Sequence, residues 1–141
     1  EDQGIYADPR TFSLGARAFV ASAPLTGFRP QFGILVDLAG GEGVRFATDF
    51  RSWRDARALT DSVNAVLATH LPDRMDLGRV IQTEDDHVPF LDAGIPCVVI
   101  FGSGDPNWHT TRDLPESCSP EVLEGVGNTL LEFVYEADKR P

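Results

Sequence analysis

The sequence predicts an α/β fold, a three-layer α/β/α sandwich built around a mostly parallel sheet. Two kinds of segment alternate along the chain: short apolar runs with strand character, and longer amphipathic segments with helical spacing. Such alternation is typical of a sheet that helices cover on both faces. The 141 residues, 42% of them hydrophobic, are enough to bury a core. We therefore expect one domain that spans residues 1–141.

The first half of the chain predicts a helix, a strand and a second helix. Residues 12–21 place apolar side chains at helical spacing, and this helix should end before Pro24. Residues 32–39 form a nearly continuous apolar run, interrupted only by Asp37, which favours a buried strand. Residues 54–70 alternate apolar and polar side chains in the manner of an amphipathic helix.

The second half predicts two strands and a final helix. Residues 78–82 form a short strand candidate, and residues 95–101 a stronger one that is rich in β-branched side chains. The last helix should begin after Ser119, which can cap it, with Pro120 in the first helical position. A stripe of apolar residues from Val122 to Tyr135 supplies its buried face.

The charge and the cysteine content of the chain argue against several functional classes. The formal charge of −10 and the absence of a Lys/Arg cluster argue against nucleic acid and anionic lipid as partners. No apolar run approaches the roughly 18 residues of a membrane span, so we expect no membrane insertion. Cys97 and Cys118 are too few for a disulfide framework. Cys97 lies in an apolar run, which favours a small buried hydrophobe over a nucleophile.

Acidic and imidazole side chains follow three of the predicted strands. They are Asp37, the run Glu84-Asp85-Asp86-His87, and the pair Trp108-His109. In open α/β sheets, ligands bind beyond the carboxyl ends of the strands, so we expect these residues to gather at one edge. Carboxylate and imidazole together suit zinc. The residues alone leave alternatives open: Asp37 bonded to the Gly40-Gly41 turn, Asp85-Asp86 as an exposed cap, and His87 as a structural residue.

Four segments, in order, resemble one known family. They are residues 14–19, residues 33–40, residues 85–96 and residues 108–113. Together they are similar to the C-terminal half of the zinc aminopeptidases of metallopeptidase family twenty-eight, which includes the glutaminyl cyclases. The resemblance implies the zinc-peptidase type of phosphorylase/hydrolase-like fold. It also implies a chain truncated at its N-terminus, because the family's upstream His-x-Asp motif is not in this sequence.

The resemblance also implies roles for individual residues. Glu1 would be the general base, and Asp85 a further catalytic or substrate-orienting carboxylate. One or two zinc ions would be the cofactor. The metal ligands would be Asp2, Asp37 and His109, although Asp37 would instead be the catalytic acid in a cyclase with one zinc. The residues that support the ligands or contact substrate would be Asp86, His87 and Trp108.

The function implied is zinc-dependent removal of N-terminal residues from peptides. A glutaminyl-peptide cyclotransferase with a single zinc is the alternative, and a non-catalytic remnant or binding domain is the third hypothesis. The expected partner is a peptide with a free N-terminus, together with a missing N-terminal half of the same protein. By analogy with bacterial members of the family, the protein would be exported.

Overall fold

The computed structural model describes residues 4–5 and 8–136 of the chain. Within these residues, helices and strands are interspersed along the chain, as expected for the predicted α/β fold. The helices are α1 (Leu14–Thr26), α2 (Phe50–Asp55), α3 (Arg57–His70), α4 (His87–Asp92) and α5 (Pro120–Glu136). The strands are β1 (Gly33–Asp37), β2 (Arg45–Asp49), β3 (Met75–Ile81) and β4 (Cys97–Ser103). Single 3₁₀ turns lie at Pro9–Thr11, Pro72–Arg74 and Pro115–Ser117.

The four strands form one mixed sheet in the order β1-β4-β2-β3. β1 pairs with β4 and β2 pairs with β3, both in parallel, whereas β2 and β4 are antiparallel. The antiparallel contact is short, because it joins only Arg45 to Ser103 and Phe46 to Gly102. Two of the three pairings are therefore parallel, and β3 runs opposite to β1 and β4.

Helices cover both faces of the sheet, which confirms the predicted three layers. On one face, α3 and α5 pack against Val98 and Ile100 of β4 around the main hydrophobic core. On the other face, α1 and α4 pack together, and the ring centroids of Phe19 and Phe90 lie 5.7 Å apart. There Gly33 leaves room for the Cys97 side chain, because a Cβ at Gly33 would lie 2.8 Å from the Cys97 Sγ.

Two predicted helices differ from those observed. α1 continues past Pro24 to Thr26, so Pro24 lies inside the helix, where it cannot donate a backbone hydrogen bond. The predicted helix over residues 54–70 is instead the pair α2 and α3, which meet at Ala56 in a non-helical conformation. α2 begins earlier than predicted because the carboxylate of Asp49 accepts a hydrogen bond from the Ser52 N–H and caps it.

The strand predictions also differ in extent. β2 has no predicted counterpart, because a five-residue strand that leads directly into a helix has little pattern of its own. β3 begins three residues before the predicted strand, and β4 is shifted two residues towards the C-terminus. The predicted start of α5 is confirmed, since the Ser119 Oγ accepts a hydrogen bond from the Val122 N–H at 3.3 Å. In the part of the chain that the structure describes, no helix is long and apolar enough to cross a membrane.

Two glycines of α5 make a matched test of the packing between α5 and the end of α3. A Cβ at Gly127 would meet no atom within 4 Å, so Gly127→Ala should raise the free energy of unfolding by roughly 0.5–1 kcal/mol. A Cβ at Gly125 would lie 2.5 Å from Cγ of the buried Leu71, so Gly125→Ala should lower it by about 1–3 kcal/mol. Denaturant unfolding of both variants measures these changes. Equal effects at the two positions would contradict the packing described.

Candidate functional site

Asp37 is the last residue of β1, and the backbone turns sharply after it. Leu38 has a φ of 51°, in the left-handed region that a leucine rarely adopts. Its carbonyl oxygen lies so close to Gly102 of β4 that a Cβ there would collide with it. Glycine at position 102 thus allows the turn that ends β1. Among the described residues, none donates a hydrogen bond to the Asp37 carboxylate.

Asp85 and Asp86 form a partly buried turn immediately before α4. The Asp86 N–H donates to Oδ1 of Asp85 at 2.7 Å, and the Val88 N–H donates to the Asp85 carbonyl at 2.9 Å. Asp86 precedes α4 but its side chain makes no capping hydrogen bond. Oδ2 of Asp85 and Oδ1 of Asp86 are buried without a hydrogen-bond partner in the described part of the chain. These two carboxylate oxygens can therefore accept hydrogen bonds from a group that does not belong to the described residues.

The Asp85 carboxyl holds its proton more strongly than an ordinary aspartate. Burial is the main cause of its raised pKa, and the negative charges of Asp37 and Asp86 raise it further. The hydrogen bond from the Asp86 N–H lowers the pKa of Asp85 and is second in size only to burial, and the His87 ring lowers it slightly. The electrostatic influence of Asp37 shows that the structure brings these two predicted site residues into one acidic cluster.

The elements that place Asp85 near Asp37 differ from those that the sequence predicts. The expectation that three strand ends meet at one edge is wrong, because β3 is antiparallel to β1 and β4 and its carboxyl end points the other way. The chain after β3 instead leads into α4, which packs against both β1 and β4. The Asp85–Asp86 turn is placed by that helix.

Asp49 is a buried residue that the sequence analysis missed. It is the last residue of β2 and is only 1% exposed. Its carboxylate accepts hydrogen bonds from the Ser52 N–H (2.8 Å), the Thr83 N–H (3.0 Å) and Nε2 of His87 (3.2 Å). Burial alone would raise the pKa of Asp49, but the hydrogen bonds from His87 and the two backbone N–H groups hold it below its usual value. An Asp directly before a helix is a capping signal, and this signal could have pointed to Asp49.

His87 is the first residue of α4, and its side chain is fully buried. Nε2 faces the Asp49 carboxylate, whereas Nδ1 has no hydrogen-bond partner among the residues described. The ring is therefore held from one side by β2. This contact places His87 in the structural support of the Asp85–Asp86 turn.

Trp108 and His109 lie in the long loop after β4. His109 is exposed and has a φ of 59°, and its ring centroid lies 4.2 Å from that of Trp108. The loop is shaped locally: the Asn107 N–H donates to Oδ1 of Asp105, and the Thr110 N–H donates to the Asn107 carbonyl. Because β1 and β4 are parallel neighbours, His109 follows the same edge of the sheet as Asp37.

Two of the three predicted zinc ligands, Asp37 and His109, lie among the described residues. Asp37 and His109 are donors of the kinds that zinc accepts. However, residues 4–5 and 8–136 contain no group of three or more His, Cys, Asp or Glu side chains placed to hold a metal ion. Glu1 and Asp2 lie outside the described residues. The residues that are described supply at most part of a zinc site.

Described residues line a cavity on each of two sides of the sheet. The larger, of about 420 Å³, is an open groove between α3 and β3 and contains none of the predicted site residues. The smaller, of about 310 Å³, lies between α1, β1 and α4, and Asp86 forms part of its wall. Cys97 also borders the smaller cavity. Burial raises the pKa of Cys97 to about 12, so its thiol is not a nucleophile near neutral pH.

A mixed sheet between two helical layers, with a partly buried acidic cluster beside β1 and α4, is typical of the catalytic domain of an α/β enzyme. Residues 8–134 match the sequence profile of Peptidase family M28. The chain belongs to this family, which confirms the resemblance described above.

Solved and curated relatives agree with this assignment. A glutaminyl cyclase from Porphyromonas gingivalis is 30% identical, with a TM-score of 0.85 over 97% of this chain and 51% of its own. A leucine aminopeptidase precursor from Bacteroides thetaiotaomicron is 26% identical, with a TM-score of 0.82 over 91% of this chain and 45% of its own. The glutaminyl-peptide cyclotransferase of Boiga irregularis is 37% identical over 59 residues, which are 41% of this chain and 16% of that protein. The chain thus spans about half the length of the solved structures that it matches.

Proposed function

We propose that the chain is part of a zinc-dependent enzyme that acts at the N-terminal residue of peptides, and that its reaction is the cyclisation of N-terminal glutamine. The acidic cluster of Asp37, Asp85 and Asp86 is the observation that carries this proposal. Two of its oxygens are buried without partners, and the pKa of Asp85 is raised. A substrate amino group supplies the N–H donors that these oxygens lack.

Cyclisation requires a proton carrier close to the substrate amine. The α-amine nitrogen attacks the side-chain amide carbon of the same glutamine, the bond from that carbon to the amide nitrogen breaks, and ammonia leaves. One proton must pass from the attacking nitrogen to the departing one. A carboxyl with a raised pKa suits this transfer, because it holds a proton more readily than an ordinary aspartate and can pass it on to the departing nitrogen. We assign this role to Asp85, with Asp37 beside it.

The proposed zinc site combines Asp37 and His109 with Asp2. When bound, zinc would supply a Lewis acid that polarises the substrate carbonyl. The described residues orient the substrate around that position: Asp85 and Asp86 accept hydrogen bonds from its amino group, and Trp108 is exposed beside His109 as an apolar surface for its side chain.

Hydrolysis of the N-terminal peptide bond is the second candidate. It is supported by the similarity to the leucine aminopeptidase precursor and by the family as a whole. Its general base would be Glu1, which lies outside the described residues. Cyclisation is preferred because the acidic cluster is formed by residues that the structure does describe, and because the Boiga irregularis relative is a glutaminyl-peptide cyclotransferase.

A substrate comparison tests the proposal. Full-length protein that contains this chain is incubated with zinc and with peptides that begin with glutamine or with leucine. Release of ammonia together with a pyroglutamyl product is expected. Release of free amino acids would favour the aminopeptidase instead, and no turnover of either peptide would favour a binding or remnant domain.

Replacing His109 by alanine in the full-length protein should reduce turnover by at least about 100-fold, because a zinc ligand would be lost. Steady-state rates and the zinc content of the purified protein measure the effect. His70→Ala is the matched control, since His70 pairs with Glu132 between α3 and α5. Unchanged turnover and zinc content in the His109 variant would contradict the assignment.

A further inference from the structure

Asp49 connects four parts of the fold through a single carboxylate. It ends β2, caps α2 through the Ser52 N–H, and reaches both the segment after β3 and the first residue of α4. The side chains of Asp49 and His87 are both 0% exposed. A carboxylate so deeply buried is stable only because donors surround it.

The two longer contacts of Asp49 lie on either side of the acidic turn. Oδ1 accepts from the Thr83 N–H, and Oδ2 accepts from Nε2 of His87. Between Thr83 and His87 lie only Glu84, Asp85 and Asp86. Both ends of the turn are therefore fastened to the same side chain, which limits the positions that Asp85 and Asp86 can adopt.

We propose that Asp49 is a positioning residue that fixes the Asp85–Asp86 turn for the reaction. This inference rests on the proposed function, because it assumes that the turn meets the substrate. Asp49 does not contact the substrate itself. It acts through Thr83 and His87.

The chemistry of the contacts explains why an aspartate is needed. Three donors point at Asp49: two backbone N–H groups and one ring nitrogen. An asparagine has one acceptor oxygen and one amide nitrogen, so it cannot accept from all three donors. In one orientation its NH₂ group would face the Thr83 N–H, and in the other it would face the Ser52 N–H and the His87 ring, so at least one backbone hydrogen bond is lost.

The test uses the full-length protein with Asp49→Asn, His87→Gln and His87→Leu. Thr129→Ala is the matched control, because Thr129 is also fully buried and hydrogen-bonded, but lies on α5. Hydrogen exchange of residues 82–88 and steady-state kinetics on a glutaminyl peptide are measured for each. Hydrogen exchange reports on the turn whether or not the protein is active.

Asp49→Asn is expected to speed exchange at residues 82–88 and to lower kcat by about 10- to 100-fold with a smaller change in KM. His87→Gln keeps an N–H donor near the position of Nε2, so it should retain more turnover than His87→Leu. Thr129→Ala should leave both readouts unchanged. Unaltered exchange in Asp49→Asn, or an unaltered kcat in an active protein, would overturn the inference. An inactive wild-type protein would refute the proposed function, while the exchange data would still decide whether Asp49 holds the turn.

Discussion

Replacing Asp85 by asparagine is expected to reduce turnover by about 100- to 10,000-fold, because the proposed proton carrier is lost while its shape is kept. The measurement is kcat/KM of the full-length protein on a glutaminyl peptide. Glu84→Gln is the matched control, because Glu84 is the exposed neighbour of the turn. Comparable losses of kcat/KM in the two variants would show that turnover depends on the negative charge of this segment and not on Asp85 in particular.

The same Asp85→Asn variant should be more stable than the wild-type chain at neutral pH in the absence of metal. Because the folded protein raises the pKa of Asp85, folding opposes its ionisation. The resulting loss of stability is absent below the pKa of Asp85 in the unfolded chain, which is about 4. It grows as the pH rises from there through the higher pKa of Asp85 in the folded protein. Thermal unfolding at pH 3 and pH 7 should therefore show a gain only at pH 7. A gain of equal size at both values would contradict the raised pKa.

Replacing Gly102 by alanine is expected to lower the free energy of unfolding by about 3 kcal/mol and to displace Asp37. The new Cβ would collide with the Leu38 carbonyl oxygen, which belongs to the backbone and cannot rotate away. Denaturant unfolding measures the stability, and kcat/KM of the full-length protein reports the displacement.

Gly78→Ala in β3 is the control for this substitution, because a Cβ there meets no atom within 4 Å. It should change stability by much less and leave turnover intact. If Gly102→Ala were equally mild, the close passage of β1 over β4 at Leu38 would be incorrect.

The sequence allowed the elements with a strong pattern to be predicted. α5 has a capping serine, a proline in the first position and a continuous apolar stripe, and each of these is local. β1 and β4 are apolar runs bounded by Gly and Pro. β2 could not be predicted, because its direction and its pairing with β4 depend on contacts between residues far apart in the chain. The break between α2 and α3 depends on the buried cap at Asp49, which a periodic pattern does not reveal.

The sequence was enough to predict which residue types form the site, but not which of these residues contact one another. Asp37, Asp85 and Asp86 stood out because carboxylates adjoin apolar strands. The electrostatic contact between Asp37 and Asp85 arises from the packing of α4 on β1, which sequence spacing does not specify. Asp49 escaped notice because a lone acid before a helix is usually an exposed cap, and only the fold shows that it is buried.

Because only two residue pairs join β2 to β4, the acidic cluster is expected to assemble late in folding. Asp37 belongs to the β1–β4 pair, whereas Asp85 follows the β2–β3 pair. Each pair joins strands that lie far apart in the chain, and contacts between such strands form slowly. Neither pair contains the whole cluster. During refolding, recovery of activity would therefore report the docking of two separately formed halves and would lag behind the appearance of helix.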